Sequence, residues 1–250
     1  MDGERDMSGE PPADFLPTFP LSRELFDDTV LWSWEQQMRL EDVLGGDSPY
    51  GSGPWWVDPQ AGTITFNHGR QPSLTATAHF LGSASPDLGV WLWGWANSAG
   101  FPDSVVDAAA RLRVYAQSYQ HDNLDTPTIA LTGEAKELVW RIGSYAASVL
   151  DLPFYLFDAG GGVIGALLVE HPMLALREPT PFRIVQAVHR AVDSGLVSDW
   201  PRALASYAKR RGLVIEDDPG GCVLRTPKGG AAAVELDSRG NVGLVDTRLG

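Results

Sequence analysis

Residues 90–97 read Val-Trp-Leu-Trp-Gly-Trp-Ala-Asn. Successive side chains of a strand point to opposite faces, so a strand over Val90–Ala96 puts Trp91, Trp93 and Trp95 on one face and Leu92, Gly94 and Ala96 on the other. Three indoles on one face bury a large apolar area and suit a sheet packed under a helix. The same row could also serve as a stacking platform for a sugar, a base or a cation, with Asn97 at the strand end as its polar partner.

The segments around this strand extend the sheet. WWVD (55–58) and TITF (63–66) flank the turn PQAG and predict a hairpin, and Thr75–Ser83 forms the next strand before the loop at Pro86–Gly89. Four consecutive strands with short loops predict an antiparallel meander. Upstream, Ser22 is positioned to cap a helix in which Phe26, Val30, Trp34 and Met38 recur every four residues, ending near Gly45–Gly46. Downstream, Pro102 opens a helix through Tyr119, PTIAL is extended, and a second helix runs to about Leu150. FYLF (154–157) and Val163–Val169 flank Ala159–Gly162 and predict a later hairpin. Prolines at 172, 179 and 181 then interrupt the pattern. Two helices follow, near 181–194 and 201–211, and then a meander of LVIED, CVLRT, AAAVELD and NVGLVDT. The fold class expected is α+β: a four-strand meander plus a later hairpin packed with helices, followed by a helix-pair plus β-meander unit. The expected divisions are a leader over 1–20, a domain over 21–171 and a C-terminal unit over 180–250.

Charge narrows the choice of partners. The net charge is −13, and the first fifty residues hold 12 acids against 3 bases. Such a surface repels phosphate backbones, so duplex nucleic acid is not expected as a partner. Asp28, Glu35 and Asp42 recur every seven residues away from the apolar stripe. They predict an acidic, solvent-facing ridge, either for solubility or to steer a basic protein. The longest uncharged apolar run, Ala159–Val169, is too short to span a membrane, and the acidic N-terminus lacks a signal pattern. A cytoplasmic protein with no membrane partner is expected.

Chemistry-bearing motifs are weak. Gly160, Gly162 and Gly165 spell G-x-G-x-x-G with Glu178 at a ribose-like distance. However, the following segment stops at Pro172 and leaves no room for a crossover helix, so a glycine-rich hairpin turn is the better reading. His121, Asp122 and Asp125 could hold a hard cation, but loop capping accounts for them without further ligands. Gly46-Asp47-Ser48 follows a helix where a nucleophile elbow needs a strand. His189 shares a helix register with Phe182, Val185 and Val192, as a core or boundary residue would. The single cysteine, Cys222, excludes an internal disulfide and reads as a buried thiol. Asp58 ends a strand and either caps its own turn or serves as a carboxylate in a site. No cofactor and no metal site are expected.

WWVD with TITF, then HFLGSAS, VWLWGWAN and RLRVYA, together resemble an uncharacterised bacterial domain-of-unknown-function family of the 6882 type, over about residues 25–169. The residues that carry the resemblance are Trp56, Asp58, Phe66, Gly82, Ser83, Trp91, Trp93, Trp95, Ala96 and Asn97. The resemblance implies a fold with a closing hairpin at Phe154–Val169 and brings no established activity with it. Two function classes follow. One is a non-catalytic interaction or accessory protein, immunity-like, with partner contacts at Asp28, Glu35 and Asp42. The other is an enzyme or small-ligand binder with a pocket near the Trp-rich strand end, using Asp58, Trp91, Trp93, Trp95 and Asn97.

Overall fold

The computed structural model describes residues 23–45, 48–51, 53–118 and 124–248. The leader, the Ser22 cap, Gly46–Asp47 and the His121–Asp122 pair lie outside the described residues. The chain begins with α1 (Arg23–Leu44), then β1 (Trp56–Asp58), β2 (Thr63–Phe66), β3 (Leu74–Ser85) and β4 (Val90–Trp93). Next come α2 (Asp103–Ser118), β5 (Thr128–Ala130), α3 (Ala135–Leu150), β6 (Phe154–Asp158) and β7 (Ile164–Glu170). The last part holds α4 (Pro181–Ser194), α5 (Trp200–Arg211), β8 (Val214–Asp218), β9 (Gly221–Arg225), β10 (Ala231–Leu236) and β11 (Val242–Arg248). The architecture is α+β with two antiparallel sheets, of seven strands and four.

β3 is the spine of the first sheet. Its first residues pair with β2, Gly82–Ser85 pair with β4, and Thr77–Ala84 pair with β7. Leu81 is an extra residue in the β7 pairing, a bulge between Phe80 and Gly82. A bulge reverses which face later residues occupy. Ala76, Ala78 and Phe80 therefore join one apolar cluster, while Leu81 and Ala84 join the other. On the second of these faces Trp91 and Trp93 meet edge to face, with ring centroids 5.5 Å apart, beneath Leu112 of α2 and Ile142 of α3. On the first face, Phe80 and Leu167 pack with Leu40 and Val43 of α1 and Val105 of α2.

The Trp-rich strand is shorter than its alternation predicts. Pairing with β3 ends at Trp93↔Gly82, beside the bulge, and Gly94–Ala96 turn as a short 3-10 helix. Gly94 passes so close to the Phe80 carbonyl that a Cβ there would sit 2.5 Å from its oxygen. The chain therefore leaves the sheet at a position where any side chain would clash. Trp95 consequently lies past the end of the strand and packs, partly buried, against the same cluster as Trp91 and Trp93.

The second sheet runs in the order β11-β10-β9-β8. α4 and α5 pack on it, and Phe26, Val30 and Leu31 of α1 complete that core. Both helices start and stop on side-chain and backbone caps. Thr180 Oγ1 accepts from Arg183 N and Asp199 Oδ1 from Arg202 N, and Gly195 and Gly212 close the ends with positive φ. In α4 the buried face is Ile184, Ala187, Val188 and Ala191. Phe182, His189 and Val192 share a face as their spacing predicts, but that face is exposed, which corrects the core or boundary place expected for His189.

Candidate functional site

A cleft of about 330 Å³ opens on the β3–β7 face away from the paired indoles. Ala78, Phe80 and Leu167 form its floor. The β1–β2 hairpin contributes Val57 and Asp58, the approach to α2 contributes Phe101 and Val105, and the β6–β7 hairpin contributes Phe157 and Val163. Each wall has a local cause. Asp58 Oδ1 accepts from Gln60 N and Ala61 N, both at 2.9 Å, and so folds the β1–β2 turn back over the sheet. Gly160, Gly161 and Gly162 all take positive φ, 90°, 61° and 77°, which lets β6 return directly into β7. Phe101 meets Phe80 with centroids 5.0 Å apart. Trp55 stands edge-on to Tyr155 and Phe157 at 6.0 and 5.9 Å, next to the same face.

The residues singled out from sequence do not converge. Asp58 lines the cleft, with Ser83 of β3 as the other polar side chain there. Trp91 and Trp93 are 0% and 1% exposed and sit in the core on the opposite face, which rules them out as a stacking platform. Trp95 is partly buried beneath the Arg113 guanidinium, 4.1 Å from the ring centroid. Asn97 Oδ1 accepts from Ala99 N at 2.8 Å and caps its own turn. G-x-G-x-x-G is a hairpin turn, with β6 and β7 paired on either side of it. Phe80, Phe101, Phe157 and Val163 went unnoticed in the sequence, since four apolar residues on four segments form no motif.

The acidic ridge of α1 is not the open surface expected. Glu35 is 4% exposed. Tyr207 Oη donates to its Oε2 at 2.8 Å and Arg211 Nη2 to its Oε1 at 3.0 Å; Arg211 Nε lies 2.8 Å from Oε2, off the line of a hydrogen bond. Burial raises the Glu35 carboxyl above its ordinary range, against the pull of Arg211. Asp28 takes a two-pronged contact from Arg202 at 2.8 and 2.6 Å, and Asp42 is paired with Arg183. The cations that meet these three carboxylates belong to α4 and α5 of the same chain. Asp27, also buried, accepts from Ser198 N, Ser198 Oγ and Asp199 N at the start of α5. Cys222 is buried, and burial pushes its thiol up.

The geometry is that of an α+β protein with a preformed apolar cleft on a sheet face. Residues 23–172, the part that builds this sheet and cleft, match a family of unknown function, DUF6882, and the chain belongs to it. No curated protein and no solved structure matches the chain. Among the described residues, no helix is long and apolar enough to cross a membrane.

Proposed function

We propose that the chain is a non-catalytic binding protein whose family domain holds an apolar group in the cleft over β3 and β7. One observation carries this reading: among the described residues, Asp58 and Ser83 are the polar side chains lining the cleft, and Asp58 Oδ1 already serves two turn amides. What remains is a phenylalanine-lined concavity at the lower end of the volume range of small-molecule sites, about 300–1,000 Å³. An anionic group would lose its hydration there and meet the Asp58 carboxylate, whereas an alkyl or aryl group gains by burial.

Burial of one methylene contributes about 0.8 kcal/mol, so a series of primary alkanols of increasing length should bind roughly fourfold tighter per carbon until the cleft is full. NMR titration should show the shifts concentrated at Phe80, Phe101 and Phe157. Val163→Trp, at the partly exposed rim, should abolish them while leaving the melting temperature near wild type. An affinity independent of chain length, or shifts that survive Val163→Trp, would refute the reading.

A further inference from the structure

The rim of the apolar cleft over β3 and β7 carries charge of one sign. Asp58 lines the cleft. Asp103 lies between the lining residues Phe101 and Val105, and Asp158 between the lining residues Phe157 and Ala159. The three carboxylates therefore belong to three walls: the β1–β2 hairpin, the start of α2 and the β6–β7 hairpin. All three are exposed, and among the described residues none has a salt-bridge partner. Their local duties use only part of each group. Asp58 Oδ1 takes two turn amides and Asp158 Oδ1 takes Gly160 N at 2.7 Å, which leaves Oδ2 of each without a hydrogen-bond partner among the described residues. Asp103 opens α2, where a negative charge suits the helix dipole. Asparagine or serine would serve a turn or a helix start as well. The common charge is what those duties do not require.

Cations are scarce where the cleft is built. Residues 55–110 hold one Lys or Arg, Arg70, which does not line the cleft, and residues 142–170 hold none. The contrast is with α1, where Asp28, Glu41 and Asp42 are exposed or partly so and each faces an arginine of α4 or α5. The acids of α1 are neutralised within the chain, and those around the cleft are not. An apolar concavity with unpaired carboxylates at its rim complements a molecule with an apolar body and a cationic head. The body gains by burial, while the head stays hydrated at the rim and is attracted without being desolvated. Aromatic rings in the wall also favour a cation over an anion.

We propose, resting on the reading of this cleft as an apolar binding site, that its occupant is an organic ammonium ion: an alkyl or aryl amine, protonated at neutral pH. Its tail lies against Phe80 and Leu167 on the floor, and its head sits at the rim with Asp58, Asp103 and Asp158. Exposed charges act on the head through water, so each contributes at most a few-fold in affinity, and the contribution falls with salt. A carboxylate head on the same tail is repelled.

The test titrates the full chain with hexylammonium, hexanol and hexanoate, which share a tail and differ in head charge, and reads binding by NMR at neutral pH. At low salt hexylammonium should bind roughly tenfold tighter than hexanol, and hexanoate roughly tenfold more weakly. At roughly 1 M salt, where the screening length falls to about 3 Å, the ratio of ammonium to alkanol affinity should shrink to about twofold or less. In the triple variant Asp58→Asn, Asp103→Asn, Asp158→Asn the same ratio should approach one. Asparagine still accepts the turn amides, so the hairpins keep their caps, and a melting curve checks the fold. Hexanol binding without preference for hexylammonium, or a preference that neither salt nor the triple variant reduces, overturns the proposal and leaves the apolar cleft standing. Hexylammonium binding that survives Val163→Trp lies outside the cleft and overturns it too. Absence of binding by hexanol and hexylammonium alike overturns both. If the triple variant fails to fold, the salt dependence and the hexanoate comparison in the wild-type chain decide.

Discussion

Trp91 and Trp93 are enclosed by Leu81, Ala84, Leu112 and Ile142, so truncating either leaves a cavity that the sheet cannot close. Each Trp→Ala change should cost about 3–5 kcal/mol. Trp95→Ala loses mainly partial burial and the Arg113 contact, about 1–2 kcal/mol. Urea unfolding midpoints distinguish the two sizes of loss, and a Trp95 loss equal to that of Trp93 would place it in the core after all. Period-two alternation identified the first two indoles as fully buried; Trp95, past the strand's end, packs on the same cluster only in part. Alternation cannot foresee a bulge in a neighbouring strand, and the Leu81 bulge ends the pairing at Trp93. Asp58 was readable as a turn cap because Asx turns are local in sequence; its place in a cleft with Phe157 and Phe101 was not, because those contacts are not local.

Glu35 makes a pH prediction at the same scale. Burial, the leading effect, raises its carboxyl from the ordinary 4.5, while Arg211 and Tyr207 pull it down. A folded-state value above the unfolded one means that the folded chain holds more protons in the window above 4.5. This group therefore supports folding fully below that window, and the support is lost as pH climbs through the raised value. Glu35→Gln removes the titration. The melting temperature of wild type minus that of the variant should fall as pH climbs from 4.5 through the raised value. A flat or rising difference would show that the carboxyl is not raised.

At the scale of the element, α1 departs furthest from its sequence reading. A stripe at Phe26, Val30, Trp34 and Met38 predicted one buried face. In the structure Asp27, Thr29, Ser33, Glu35 and Gln36 are buried too, because α1 is covered by α3 as well as by α4 and α5: Ser148 of α3 meets Thr29 and Asp151 at its end holds Gln36, while Asp27 and Glu35 meet the α5 side. Polar residues in a helix signal solvent only when no distant partner exists, and here the partners of Asp27 and Glu35 lie more than 170 residues further on. Strand and helix positions elsewhere followed from local patterns. The β6–β7 hairpin and the caps of α4 and α5 are examples, since turn and cap chemistry is written within a few residues. The buried pair gives a sharp contrast with its surface counterpart. Arg211→Ala strands a buried carboxylate and should cost about 3–5 kcal/mol. Arg202→Ala breaks an exposed pair with Asp28 and should cost at most about 1 kcal/mol. Denaturant titration of both variants checks this, and equal losses would mean that Glu35 is as well solvated as Asp28.

At the scale of the whole molecule, the family match ends at residue 172, yet the core of the following part includes Phe26, Val30 and Leu31 of α1. Residues 175–180 join the two parts and are mostly exposed, so a protease should cut there before it cuts within the sheets. Sequence alone suggests that the parts then separate. The shared helix argues that they stay together. Two kinds of force hold α1 against α4 and α5: the apolar cluster, and four carboxylates, Asp28, Glu35, Glu41 and Asp42, each facing an arginine. Salt distinguishes them, because at roughly 1 M the screening length falls to about 3 Å and exposed pairs lose most of their attraction. Apolar contact persists under those conditions, and the buried Glu35–Arg211 pair is screened far less. The nicked chain should therefore elute as one species from a sizing column at low salt and at 1 M salt alike, and come apart only in denaturant. Separation at 1 M salt alone would assign the junction to the surface pairs, and separation at low salt would make the two parts independent domains that merely touch.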